Sequence, residues 1–511
     1  MHKNFPYSPR QAVGLVLGPV LFVVMLTAFD LSPGHPVVTR TAAAAVLIAV
    51  WWITEALPIP VTSLLPLVLF PLLGIMKTKE IAPSYMNSSI FLFMGGFMIA
   101  LSIERWGLHR RIALNILRLL GDNPRKLILG FMVATAILSM WISNTATTMM
   151  MLPIALAVAH RADRVEADGG FKVRFPLALM LAIAYSASIG GIGTLIGTPP
   201  NIVFSRQFLI SFPGAPQVSF LQWLQLAFPL VVVFIVVTWF LLTRVLVPVP
   251  NVSFGGGREM VKDELARMGP TGVPERRVAV IFALTALLWI TRSKIDLGFV
   301  SLPGWADLTG LGSLVDDGTV AVMMAVLLFA LPAGNRSGER LLDWGTALKL
   351  PWGILLLFGG GFALATGFKT SGLSAWVGGQ LHGLAGQPPG LMVGLTSTML
   401  TFLTELTSNT ATTQLILPIL ASIAAVERLH PLLLMIPATI SASCAFMLPV
   451  ATPPNAIVFS SGRVPIAKMA TVGIVLNVVG VVLVTALVIF VGGPLFDLFP
   501  SVLPQWVVPA P

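Results

Sequence analysis

Charge is scarce in this chain. Only 10% of its 511 residues are Asp, Glu, Lys or Arg, where a soluble globular chain carries about 25%, so an ordinary water-soluble domain is excluded. The six histidines are scattered, with no His-Glu-x-x-His or paired-Asp motif. That excludes the metal constellation an intramembrane hydrolase would need. The single cysteine, Cys444, lies in an apolar stretch and has no partner for an intrachain disulfide, so it says nothing about the redox compartment. Acidic residues number 21 against 31 basic ones, a net charge of +10. The basic residues fall between apolar runs rather than in one patch, which fits membrane orientation and argues against a nucleic-acid partner.

What is abundant is apolar surface: 56% of residues are hydrophobic and the mean hydropathy is +0.89. Runs of roughly 20 apolar residues recur, each long enough to cross a hydrocarbon core about 30 Å thick. The first, Ala12 to Phe29, exceeds a signal-peptide core and has no small-residue cleavage site, so it reads as a retained span. The pattern predicts an all-α polytopic membrane protein. Eleven crossings are expected, near 12–29, 41–56, 62–76, 88–104, 176–208, 220–243, 278–291, 318–332, 351–368, 431–460 and 470–493. Two stretches, 127–159 with no charged residue and about 389–426 with Glu405 alone, are read as re-entrant hairpins. With the N-terminus inside, roughly three quarters of Lys and Arg fall on the inner side, which favours a cytoplasmic N-terminus and an extracytoplasmic C-terminus in the cell (inner) membrane. A polar segment, 248–277, with Gly255-Gly256-Gly257 and mixed charges, reads as a solvated cytoplasmic linker between halves 1–247 and 278–511.

The halves repeat. Leu92 to Phe97 matches Leu357 to Phe362, and Gly107-Leu108 matches Gly372-Leu373, at an offset of 265 residues. Ser143-Asn144-Thr145-Ala146-Thr147-Thr148 returns at that offset as Ser408 to Thr413, and Pro153 as Pro418. Thr198-Pro199-Pro200-Asn201 returns as Thr452-Pro453-Pro454-Asn455, 254 residues on. Equivalent elements run in opposite directions under the expected topology. Such inverted repeats build secondary transporters with the site at the repeat interface.

Residues 127–159 form 33 positions without Asp, Glu, Lys or Arg. As one helix they would span about 50 Å, too long for the core. Breaking at the central Ser-Asn-Thr, residues suited to capping a helix start, gives two arms that reach the midplane. A helix N-terminus exposed there attracts anions through unpaired N–H groups and its dipole. The Ser and Thr hydroxyls and the Asn amide add neutral donors for carboxylate oxygens. In the second motif family, Pro199 and Pro200 deny N–H partners to the carbonyls of Leu195 and Ile196, and Pro453 and Pro454 do the same to Pro449 and Val450. Helix breaks with released carbonyls and an Asn side-chain oxygen suit Na⁺. Broken helices and closed hairpins around a midplane site favour a carrier over a channel.

These paired motifs, with Ala442-Ser443-Cys444-Ala445-Phe446-Met447-Leu448-Pro449 and Asn455-Ala456-Ile457-Val458, resemble the divalent anion:sodium symporter family of di- and tricarboxylate carriers over nearly the whole chain. The resemblance implies a homodimer whose protomers each have a scaffold and a transport domain that moves as an elevator. It implies Na⁺ as a co-transported ion, at least two per cycle, at sites formed by Ser139, Ser143, Asn144 and Gly197, and by Thr404, Thr407, Asn409 and Ala451. It places the substrate carboxylates against Ser143, Asn144, Thr145, Thr198, Pro199, Ser408, Asn409, Thr410, Thr452 and Pro453. A C4-dicarboxylate is the expected cargo; Na⁺-independent dicarboxylate exchange and citrate or sulfate carriage are the alternatives. Glu405, three positions before Ser408, is either a functional carboxylate or a hydrogen-bonded structural one. Glu55 and Glu104 read as interfacial. His109, Arg110, Arg111 and Arg118 mark an amphipathic helix along the inner surface.

Overall fold

A computed structural model of the chain describes residues 7–119, 123–163, 169–250, 257–296, 301–334, 338–380, 387–500 and 502–507. The expected Gly255-Gly256 stretch of the linker lies outside the described residues, as do 164–168 and 335–337, which carry part of the basic bias. Among the described residues the chain is a helical membrane bundle, and its one strand ladder joins Ile295–Asp296 to Ser301–Leu302. Eight helices are long and apolar enough to cross a bilayer, by length and composition. One of them, Asn409–Val426, is a hairpin arm that starts at the Ser-Asn-Thr motif. The expected crossing at 62–76 is not a continuous helix: two short helices, Ile59–Thr62 and Leu65–Leu72, stand in its place. Prolines at 58, 60, 66 and 71 explain this, because each removes a helical donor and restricts the residue before it.

Both hairpins are present. Hairpin 1 has arms Pro124–Ser139 and Asn144–Asp163, and hairpin 2 has arms Pro389–Thr404 and Asn409–Val426. Pro124 and Pro389 each stand at the start of a first arm, where the missing N–H costs nothing. At the tips, Ser143 Oγ accepts from Ala146 N at 3.2 Å, and Ser408 Oγ accepts from Ala411 N at 3.5 Å. The motif serines thus cap the second arms.

Two broken helices lie against the hairpins. The first runs Gly169–Gly191, then Pro199–Ser211; the second runs Leu432–Ser441, then Pro453–Ser460. The proline pairs occupy the first turn of each second piece, behind extended Thr198 and Thr452. Gly190 permits the close approach of broken helix 1 to hairpin 1, since a Cβ there would sit 2.4 Å from the Ala136 carbonyl oxygen. Residues 175–191 are all buried; the peripheral helix Pro9–Ala28 buries only Gly14 and Gly18 and presents Val13, Val16 and Val20 outward, as a lipid-facing helix would.

The amphipathic helix forms over Leu108–Leu119, burying Leu108, Ala113, Leu114 and Leu117. The linker is more than a solvated connection. It carries the helix Gly257–Met268, tied to the amphipathic helix by the Arg110–Glu264 ion pair, while Arg111 pairs with Glu275 just beyond it. Opposite charges at matched positions could not be paired from one sequence read linearly.

Candidate functional site

The two hairpin tips and the two helix breaks meet on one cavity of about 1050 Å³. It is lined by Ser143, Asn144, Thr145, Thr198 and Pro199 from the first half, and by Ser408, Asn409, Thr410, Thr452 and Pro453 from the second. Gly197, Thr407 and Ala451 also reach the wall. Ser139 and Thr404 do not; both are fully buried one layer behind it.

That layer has the same geometry in both halves. Ser139 Oγ lies 2.5 Å from Asn144 Oδ1 and 2.7 Å from the Ala187 carbonyl oxygen. Thr404 Oγ1 lies 2.6 Å from Asn409 Oδ1 and 2.9 Å from the Ala442 carbonyl oxygen. Each cluster sets two acceptor oxygens around a hydroxyl that owns a single proton, so one acceptor contact in each is left without a donor. No Lys or Arg hydrogen bond reaches these oxygens among the described residues. A surplus of hard oxygen acceptors with no matching donor is the donor set a small cation fits. Gly191 makes room for the first cluster, since a Cβ there would come within 2.5 Å of Asn144 Oδ1.

The asparagines of the helix breaks also have a role that sequence reading did not assign. Asn201 Nδ2 lies 2.7–3.2 Å from the carbonyl oxygens of Gly191, Ile192 and Thr194, and Asn455 Nδ2 donates to Ala445 at 3.1 Å and Leu448 at 3.0 Å. Their amide nitrogens clamp the unwound segments, and the Oδ1 atoms stay buried without a partner. A carbonyl left bare at membrane depth is costly, and the amide supplies the missing donor. The fold therefore uses these residues first to hold the break open.

Four charged residues, Arg10, Glu55, Glu104 and Lys349, also line the cavity, beside the hydroxyls, amides and helix starts of the motifs. Glu55 closes the helix Pro36–Thr54 in a left-handed conformation with φ of 51°. Sequence reading placed it and Glu104 at span ends but could not bring them to one opening, because their meeting depends on helix packing. Leu406, which sequence reading missed, and Val450, read there only for its carbonyl, are apolar residues on the cavity wall, 66% and 80% exposed.

The cavity is thus lined twice over by one pattern, a Ser-Asn-Thr tip and a Thr-Pro-Pro break from each half. Residues 13–498 match the family model described as sodium:sulfate symporter transmembrane region. The chain belongs to that family. It is a multi-pass membrane transporter, not an enzyme. Among its relatives, a protein of Staphylococcus saprophyticus named sodium-dependent dicarboxylate transporter SdcS is 42% identical over 501 residues, covering 97% of this chain and 94% of the relative. Its namesake in Staphylococcus aureus strain RF122 is 44% identical over 493 residues, covering 96% and 92%. Two solved structures share the fold at low identity. Neisseria gonorrhoeae MtrF, of a class of antimetabolite efflux pumps, has a TM-score of 0.54 at 15% identity, covering 81% of this chain and 84% of that one. The Alcanivorax borkumensis YdaH transporter has a TM-score of 0.51 at 14% identity, covering 81% and 86%.

Proposed function

We propose that this transporter imports C4-dicarboxylates, of the succinate, malate and fumarate class, coupled to Na⁺. The observation that carries the reading is the pair of matching oxygen clusters, Ser139–Asn144–Ala187 and Thr404–Asn409–Ala442, set behind a cavity floor of neutral donors. At least one Na⁺ would sit at each cluster, completed by the Ser143 and Gly197 region in the first half and the Thr407 and Ala451 region in the second. The two carboxylates of the cargo would each face one Ser-Asn-Thr motif, with Thr198, Pro199, Thr452 and Pro453 closing the sides. With no basic residue in either motif, Na⁺ offsets the anion's charge, so binding of one favours binding of the other. The names of the full-length relatives support both cargo and ion.

In the orientation with the N-terminus inside, Arg10, Glu55, Glu104 and Lys349 lie at the cytoplasmic mouth, and the cavity is open inward. Transport then requires the hairpins and broken helices to carry the site across the inner membrane against a static scaffold, as an elevator within a homodimer. Sulfate carriage is the second reading, favoured by the family's description. Succinate uptake into proteoliposomes, with and without an inward Na⁺ gradient and with sulfate as competitor, tests both. Gradient-driven succinate accumulation that excess sulfate does not inhibit is the expected result. Equal uptake without Na⁺ would reject symport in favour of Na⁺-independent exchange, and strong sulfate inhibition would favour the second reading.

A further inference from the structure

The two half-sites differ at one position that neither the repeat nor the neutral cavity explains. Residue 405, the first after the inward arm of hairpin 2, is a glutamate that is only 3% exposed. Its Oε1 accepts from Phe446 N at 2.7 Å, Met447 N at 2.9 Å and Asn477 Nδ2 at 2.8 Å, and its Oε2 accepts from Leu448 N at 3.2 Å. The three backbone donors are consecutive and belong to the unwound segment between the two pieces of broken helix 2. Without the carboxylate they would stand unpaired at membrane depth. The preceding residue, Thr404, meets the Ala442 carbonyl at the start of the same segment. Two adjacent side chains of one hairpin tip therefore hold the segment at both ends, and its far end delivers Ala451 and Thr452 to the cavity.

In the first half the equivalent residue is Met140, which carries no charge. There, beside the Asn201 clamp, the tip meets the break through a hydroxyl: Thr194 Oγ1 donates to the Met140 carbonyl at 2.5 Å, and Gly193 lets the Met140 side chain pack against the turn. Among the described residues no Lys or Arg hydrogen bond reaches Glu405. Its four donors are neutral, so a Na⁺ among the neighbouring Thr404, Asn409 and Ala442 oxygens would be the nearest compensating charge.

We infer that Glu405 is a positioning residue for the second cation site, fixing the carbonyl-bearing segment and placing a negative charge beside it, so that Na⁺ affinity at that site depends on a group the first site lacks. The inference rests on the Na⁺-coupled reading above. Two measurements on the full-length protein test it: the Na⁺ dependence of succinate uptake in proteoliposomes, and the Na⁺ concentration giving half-maximal thermal stabilisation of the purified protein, which reads binding without transport. Glu405→Gln is expected to raise both Na⁺ half-saturation values by about tenfold, with succinate KM at saturating Na⁺ within about twofold of wild type. Glu405→Asp, which keeps the charge, should recover part of that loss. Asn477→Ala removes one of four donors and should move both values in the same direction by about twofold to threefold; it carries the test alone if Glu405→Gln does not fold. Unchanged Na⁺ responses in the folded variants, or a rise in succinate KM with an unmoved Na⁺ curve, would overturn the role of Glu405 while leaving the functional reading standing. Wild-type uptake indifferent to Na⁺ would overturn both.

Discussion

Hairpin 1 and hairpin 2 carry the same Ser-Asn-Thr motif, cap it the same way and face the same cavity, yet their tips meet different surroundings. Trp141, next to the first motif, is enclosed by aromatic rings. It packs 5.8 Å from Phe220, 6.5 Å from Trp289 and edge-on to Phe282 at 4.9 Å. Its repeat partner, Leu406, stands exposed on the cavity wall. Ile196 of the first helix break is 5% exposed, whereas its partner Val450 is 80% exposed. One sequence pattern thus exists in a covered and an uncovered form within a single chain. The lesson is that a repeated motif does not fix its own surroundings: the residues beside it decide whether a tip is covered or exposed.

The comparison can be broken where the halves are most alike. Asn144→Ala and Asn409→Ala each remove the amide oxygen from an oxygen cluster, and each is expected to reduce succinate uptake to background while the protein still elutes as a folded species. Full transport by both would remove the site assignment. It can be sharpened where the halves differ. Trp141→Ala should cost about 2–3 kcal/mol of stability by emptying an aromatic contact, against about 0.5 kcal/mol or less for Leu406→Ala, as read by thermal unfolding in detergent. A larger loss at Leu406 would mean that the covered and uncovered tips are assigned the wrong way round.

Much of this could be read from the sequence because it depends on local chemistry. The hairpin breaks, the helix starts at Asn144, Pro199, Asn409 and Pro453, and the amphipathic helix near His109 follow from uncharged length, capping residues, paired prolines and clustered arginines. What could not be read depends on packing. The amide clamps of Asn201 and Asn455 need the fold to bring a side chain back onto its own break. The donors around Glu405 come from residues some 40 and 72 positions away. At 62–76 the error was the opposite one: apolar length was weighed above Pro66 and Pro71, and two short helices stand where one continuous helix was expected.

Two smaller effects refine the comparison. In vesicles exposing the cytoplasmic face, Leu406→Cys should react with a bulky maleimide about tenfold faster than Trp141→Cys, because thiol reactivity follows exposure and the native Cys444 is buried. Equal rates would show that both tips are open. Gln414 donates to the Leu357 carbonyl at 2.9 Å, fastening hairpin 2 to the helix Trp352–Ser371, whereas its repeat partner Met149 is exposed. Gln414→Ala should therefore cost about 1 kcal/mol in thermal unfolding, and Met149→Ala close to nothing; equal losses would remove that fastening from the account.

The claim underlying all of this is that each half supplies a cation site to one shared anion site. Parallel measurement of labelled Na⁺ and labelled succinate entering the same proteoliposomes tests it most directly. The account expects at least two Na⁺ for every succinate. A ratio of one, or succinate entry with no Na⁺ movement, would contradict it.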